Sequence, residues 1–209
     1  MAEIIPSIIA KNFEEVKQKV AQIDGLVTWA QVDIMDGVFV AKETWATADD
    51  LENLAGNVKI EAHLMIDKPE EELAKWVSLA DRVLVHVETT DYLAEMIETI
   101  DGAPTKFGLV MKIDTPLAVL DDFVGKIGYV QLMSIDVLGS YGEKLDEEIY
   151  ERIRTIKALY PELVVAVDGG VTLENAPKLI EAGAENLVVG SSIWESGDIA
   201  EVVKQFQSL

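Results

Sequence analysis

The sequence predicts an α/β fold, a closed (β/α)8 barrel of the TIM-barrel type, on three observations. Short apolar runs alternate with amphipathic stretches along the whole 209 residues. The alternation accommodates eight strand–helix units, near the lower size limit of such a barrel. Two of the runs end in an acid followed at once by turn residues: Gln31-Val32-Asp33-Ile34-Met35-Asp36-Gly37 and Val164-Val165-Ala166-Val167-Asp168-Gly169-Gly170. An acid at the C-terminal end of a strand, beside glycine, points into the mouth where α/β folds bind ligands. An open doubly wound sheet is the alternative arrangement of the same elements.

In chain order the expected strands are Ile4–Ala10, Thr28–Ile34, Val58–Met65, Arg82–Val87, Lys106–Met111, Gly128–Met133, Leu163–Val167 and Asn186–Val189. Each is a short apolar or alternating run bounded by turn residues. Helical periodicity predicts helices over Asn12–Ile23, Pro69–Leu79, Tyr92–Ile100, Glu147–Leu159, Leu173–Ala182 and Ile199–Gln207. Asp91, Thr115-Pro116 and Thr172 read as helix starts, and Gly183 as a helix stop. Gly37–Trp45 and Ser134–Leu145 are the long strand-to-helix loops, and in a barrel both lie on the face that carries Asp33 and Asp168. No linker or low-complexity tract divides the chain, so one domain over 1–209 is expected.

Composition narrows the function. The formal net charge is −21, which repels phosphate backbones and anionic lipid surfaces, so no nucleic acid and no membrane partner is expected. Cysteine is absent, which excludes disulfides, thiolate metal sites and cysteine nucleophiles. The opening Met1-Ala2-Glu3-Ile4-Ile5-Pro6 carries no basic or long apolar segment and enters a strand directly, so a cytoplasmic location is expected.

The candidate chemistry centres on carboxylates. Asp33 and Asp168 in one mouth can act as acid and base on a single substrate, although each taken alone is also an ordinary turn or cap aspartate. In Glu61-Ala62-His63-Leu64-Met65 strand alternation puts Glu61, His63 and Met65 on one face, with His63 near the catalytic end. A lone histidine inside a barrel is usually a hydrogen-bonded core residue. Beside two carboxylates it can instead complete a site for zinc, manganese or iron.

The order Pro6-Ser7-Ile8-Ile9, Val32-Asp33-Ile34-Met35-Asp36-Gly37-Val38-Phe39-Val40, His63-Leu64-Met65, Val85-His86-Val87-Glu88, Gly108-Leu109-Val110, Thr115-Pro116, Met133-Ser134, Val167-Asp168-Gly169-Gly170-Val171 and Val189-Gly190-Ser191-Ser192-Ile193 resembles the ribulose-phosphate 3-epimerase family. The matches are collinear and span nearly the whole chain. The resemblance implies an isomerase that epimerises a ketose phosphate at carbon 3 through an enediolate, with Asp33 and Asp168 as acid and base. It implies a divalent metal on Asp33, His63, Asp168 and position 31. It further implies substrate contacts from Ser7, His63, Met35, Met65 and Met133, and a phosphate cup at Gly169, Gly170, Gly190 and Ser191. It also suggests a homo-oligomer, for which Trp45, Trp76 and Trp194 are either interface anchors or internal packing. Lys112 is a candidate extra cation.

The chain departs from the family pattern at several places. Position 31 is Gln31 where the family has a metal-ligating histidine. The loop after Asp33 reads Val38-Phe39-Val40-Ala41-Lys42, and the glycine-rich loop after strand six reads Asp136-Val137-Leu138-Gly139-Ser140-Tyr141-Gly142-Glu143, where Asp136 and Glu143 would oppose a phosphate if they faced it. These changes also suit a non-catalytic sugar-phosphate-binding protein. A related decarboxylase or aldolase needs Asp-x-Lys-x-x-Asp on strand three; Glu61, His63 and Ile66 stand there with no lysine.

Overall fold

The structure, a computed structural model, describes residues 2–100 and 106–209; Met1, the first residue of the expected domain, lies outside them. Eight parallel strands close into a barrel in sequence order: β1 (Glu3–Ile8), β2 (Trp29–Met35), β3 (Lys59–Met65), β4 (Arg82–His86), β5 (Phe107–Met111), β6 (Tyr129–Met133), β7 (Val164–Asp168) and β8 (Asn186–Val189). Every expected strand is present, with no end displaced by more than two residues and Asn186–Val189 unchanged. The doubly wound alternative is thereby excluded, because β1 pairs with both β2 and β8.

The α-helices are α1 (Phe13–Ile23), α2 (Leu73–Leu79), α3 (Leu93–Thr99), α4 (Glu148–Leu159), α5 (Ala176–Ala182), α6 (Ser191–Trp194) and α7 (Ile199–Gln207). Asn12 caps α1, its side chain accepting from the Glu15 N–H. Gly183 stops α5 at φ 115°, as expected. Two expected helix starts are corrected and one is borne out. Asp91 caps nothing; the Tyr92 N–H is held by the Thr90 hydroxyl, and α3 begins at Leu93. Thr172 is borne out: its hydroxyl accepts from the Asn175 N–H, the Asn175 side chain accepts from the Thr172 N–H, and the Ala176 N–H bonds the Thr172 carbonyl, so it opens the turn that runs into α5 at Ala176. Thr115-Pro116 opens a 3-10 helix over Leu117–Asp122 in place of an α-helix.

Strand alternation sorts the apolar residues into two layers. One set faces outward under the helices, and the largest cluster there includes Val16, Val20, Trp45, Trp76 and Phe206. Trp45 and Trp76 meet edge to face at 6.0 Å between centroids, and both are buried, so they serve internal packing. A second cluster (Leu84, Val110, Tyr129, Met133, Ala166) fills the barrel itself. Below it Arg82 is held by Glu61 at 2.7 Å, with its guanidinium 4.1 Å from the Trp29 ring and 4.0 Å from the Tyr129 ring. That pair and its rings plug the bottom, so the open end carries Asp33 and Asp168.

Candidate active site

Register builds the site. Asp33 pairs across from His63, Met133 from Asp168, and Ser7 from Gln31, which gathers the inward side chains of β1, β2, β3, β6 and β7 toward one end of the barrel. Gln31, His63 and Gln131 are fully buried, while 7% of the Asp33 side chain and 13% of the Asp168 side chain reach solvent. Those two carboxylates therefore face the cleft above.

The Gln31 amide nitrogen donates to Asp33 Oδ1 at 2.8 Å and to Asp168 Oδ2 at 2.7 Å, and lies 3.1 Å from His63 Nδ1. His63 Nδ1 is 3.1 Å from Asp33 Oδ1 and 3.5 Å from Asp168 Oδ2. Each aspartate is thus tied by one oxygen. Neither Asp33 Oδ2 nor Asp168 Oδ1 accepts a hydrogen bond from any described residue. Burial, together with the Asp33 carboxylate beside it, pushes the Asp168 carboxyl up to about 7. A group balanced there can give or take a proton near neutrality.

Behind His63 runs a chain of hydrogen bonds. His63 Nε2 lies 2.9 Å from His86 Nε2, and His86 Nδ1 lies 3.1 Å from Glu88 Oε2. Burial would raise Glu88, but hydrogen bonds from His86, the Thr115 hydroxyl and the Lys112 N–H bring it down to about 2. Burial lowers His86 to about 4, so it is neutral and donates through Nδ1 to ionised Glu88. Its Nε2 lone pair then accepts from His63 Nε2–H. The second nitrogen of His63 is left facing the two aspartates, whose charges raise the imidazole against the opposing effect of burial.

Asp33, His63 and Asp168 bring three ligand atoms within 4.8 Å of one another, a group that can hold a metal ion. Their 3.1 and 3.5 Å separations bracket the edge of about 3.4 Å expected around a tetrahedral ion. The Gln31 amide lies beside all three, with its nitrogen turned toward them. Its buried oxygen has no hydrogen-bond partner, which suits a ligand atom once the amide turns over.

A cleft opens above this group. Asp33, His63, Asp168, Ser7, Met65, Met133, Gly169, Gly170, Gly190 and Ser191 all line it. Met35 does not; it packs under the loop with Val40 and Met65. Gln31 lies beneath the lining. Lys112 stands apart, its ammonium 4.7 Å above the Phe39 ring. Asp136 and Glu143 are outside the lining as well, and Glu143 lines an adjoining surface pocket with Gly170 and Ser191.

The Ser134–Leu145 loop closes one side. Tyr141 donates to the Ser7 carbonyl at 2.9 Å and accepts from the Ile9 N–H at 3.1 Å, while Lys42 Nζ ties the Gly139 carbonyl at 2.8 Å. A side chain at Gly190 would meet the Tyr141 ring at 2.7 Å, and one at Gly170 (φ 62°) would meet the Leu145 backbone nitrogen at 2.4 Å. These glycines let the loop lie directly on the cup. Tyr141→Phe removes both ties and is expected to raise KM at least tenfold with a smaller change in kcat; steady-state kinetics checks the split. Tyr141 was not a sequence candidate, and only its place in a loop carrying two glycines hinted at a contact.

A profile of the ribulose-phosphate 3 epimerase family matches residues 3–194. The chain belongs to that family. It is 30% identical to the ribulose-phosphate 3-epimerase of Aquifex aeolicus, covering 100% of this chain and 97% of the relative. To the chloroplastic ribulose-5-phosphate-3-epimerase of Arabidopsis thaliana it is 33% identical, over 96% of this chain and 74% of the relative. Among solved structures, 3-hexulose-6-phosphate synthase from Salmonella typhimurium superposes with a TM-score of 0.71 at 15% identity, covering 99% and 97% of the two chains. That last likeness establishes the shared barrel alone.

Proposed function

We propose that the chain is a sugar-phosphate 3-epimerase acting on D-ribulose 5-phosphate, with Asp33 and Asp168 as the acid/base pair. One observation carries this reading: in an epimerase-family barrel, two carboxylates flank one cleft, each tied by one oxygen and free at the other. One free oxygen takes the proton from carbon 3, next to the ketone, and an enediolate forms. The other aspartate, protonated, delivers its proton to the opposite face of that carbon. Near pH 7 the Asp168 carboxyl exists in both forms, which serves an enzyme running in both directions.

His63 offers a hydrogen bond or a ligand atom beside the reacting oxygens, held in orientation by His86 and Glu88. A divalent cation (zinc, manganese or iron) on Asp33, His63 and Asp168, with the Gln31 oxygen turned inward, would supply electrostatic stabilisation of the developing oxyanion. Met65 and Met133 give the cleft a polarisable wall without exchangeable protons. Gly169, Gly170, Gly190 and Ser191 form the cup for the phosphate, with Ser7 beside it.

The same reading takes the enzyme as one cytoplasmic domain without nucleic-acid or membrane partners. The net charge of −21 disfavours nucleic-acid and anionic-membrane partners. It also takes the chain as a homo-oligomer, for which sedimentation is the test.

Proton NMR of the purified protein with D-ribulose 5-phosphate, and separately with unphosphorylated ribulose, tests the function. The xylulose epimer should appear from the phosphate ester, with kcat/KM at least about 10³-fold lower for the free sugar. Substrate binding without conversion, with or without added zinc, manganese or iron, would replace this reading with that of a binding protein.

A further inference from the structure

Gln131 stands in the middle of β6 with none of its surface exposed, flanked by Val130 and Leu132. Alternation turns it into the barrel with Tyr129 and Met133. Its amide nitrogen donates to Asp168 Oδ2 at 3.0 Å, and Gln31 donates to the same oxygen at 2.7 Å from the opposite strand. Both amide oxygens are buried without a partner. Turning the Gln131 amide over would set its oxygen against the carboxylate, so Asp168 fixes its orientation. A leucine would fill the position of Gln131 and leave no buried acceptor unpaired, so packing does not account for a glutamine there.

We propose that Gln131 is a positioning residue that tethers Asp168 Oδ2 and thereby aims Oδ1 at the substrate. The proposal rests on reading Asp168 as one of the two acid/base groups. A carboxylate without such ties rotates about its Cβ–Cγ bond and presents either oxygen. Two N–H donors on Oδ2 oppose that rotation, and His63 also meets Asp168 through Oδ2 at 3.5 Å. When Asp168 acts as the acid, its O–H bond breaks at Oδ1 while the enediolate electron pair forms the new C–H bond. The carboxylate left behind keeps both amide hydrogen bonds on Oδ2, and the reverse step restores the starting state. Gln131 touches neither substrate nor reacting atom, and it holds its place whether or not Gln31 turns toward a cation.

The test has two arms on the full-length protein. In the first, nitrogen-15 NMR of the side-chain amides, assigned through Gln131→Leu, should show the Gln131 resonances shifting in Asp168→Ala and staying in place in Asp33→Ala. Unmoved resonances in Asp168→Ala would overturn the tether. In the second, Gln131→Leu and the longer Gln131→Met are compared with wild type in D2O. Conversion should fall about 10- to 100-fold. Starting from the epimer that Asp33 deprotonates, deuterium entry into recovered substrate relative to conversion should rise at least tenfold, because the enediolate is returned by Asp33 more often than it is carried forward. From the other epimer the ratio should not rise. A parallel fall in exchange and conversion from both epimers would reduce Gln131 to a structural residue and overturn the proposal. If the wild type neither converts nor exchanges the substrate, the functional reading fails and the amide arm alone decides the tether.

Discussion

Asp168→Asn is expected to lower kcat for epimerisation by about 10³- to 10⁴-fold, with far-UV circular dichroism unchanged. Asparagine keeps the shape, and its carbonyl oxygen still accepts from Gln31 and Gln131, so the barrel mouth should stay in place. What disappears is the group that burial and Asp33 together bring to about 7, and no described neighbour replaces it. His63 is turned to the tied oxygens of both aspartates and not to the free ones. NMR rates on the phosphorylated ketose check this directly. A loss smaller than tenfold would mean that Asp168 shapes the mouth without handling the proton.

The same substitution should change how stability depends on pH. In the folded chain Asp168 holds its proton up to about 7, against an ordinary value of 3.8. Between those values the folded state binds more protons than the unfolded state, so stability falls as pH rises. The contribution is complete below about pH 4 and lost above about pH 7. Compared with Asp168→Asn, the wild type should therefore lose on the order of 3 kcal/mol between pH 4 and pH 8, allowing for the water that reaches the cleft. Urea unfolding of both proteins in the presence of a chelator measures the difference. Identical pH dependence in the two would show that Asp168 is not held protonated by its surroundings.

Much of this was legible in the residues, for physical reasons. All eight strands could be read because each is a short apolar run ending in turn residues, and a closed parallel barrel buries both faces of every strand. Asp33, His63 and Asp168 were legible because three titratable groups end such runs together, although each alone has an ordinary turn, cap or core use. Helix starts were less legible. Asp91 has a capping side chain, but the neighbouring Thr90 hydroxyl holds the Tyr92 N–H and α3 begins at Leu93. Gln131 escaped notice because a single polar residue inside an apolar strand has no local signature. Its significance depends on β6 lying next to β7, which only the closed barrel supplies. Tyr141 was hidden for a similar reason: its partners, Ser7 and Ile9, lie more than 130 residues away in the chain.

The central claim is that two carboxylates serve the two faces of one carbon, and isotope tracking in D2O tests it most directly. D-ribulose 5-phosphate carrying protium at carbon 3 would be followed through its first turnovers by proton NMR. The account predicts xylulose 5-phosphate labelled with deuterium at carbon 3 from the outset, while unreacted ribulose 5-phosphate remains protiated. Product that keeps the substrate's own hydrogen at carbon 3 would mean that a single group carries the proton across, and the account of Asp33 and Asp168 as separate acid and base would be wrong.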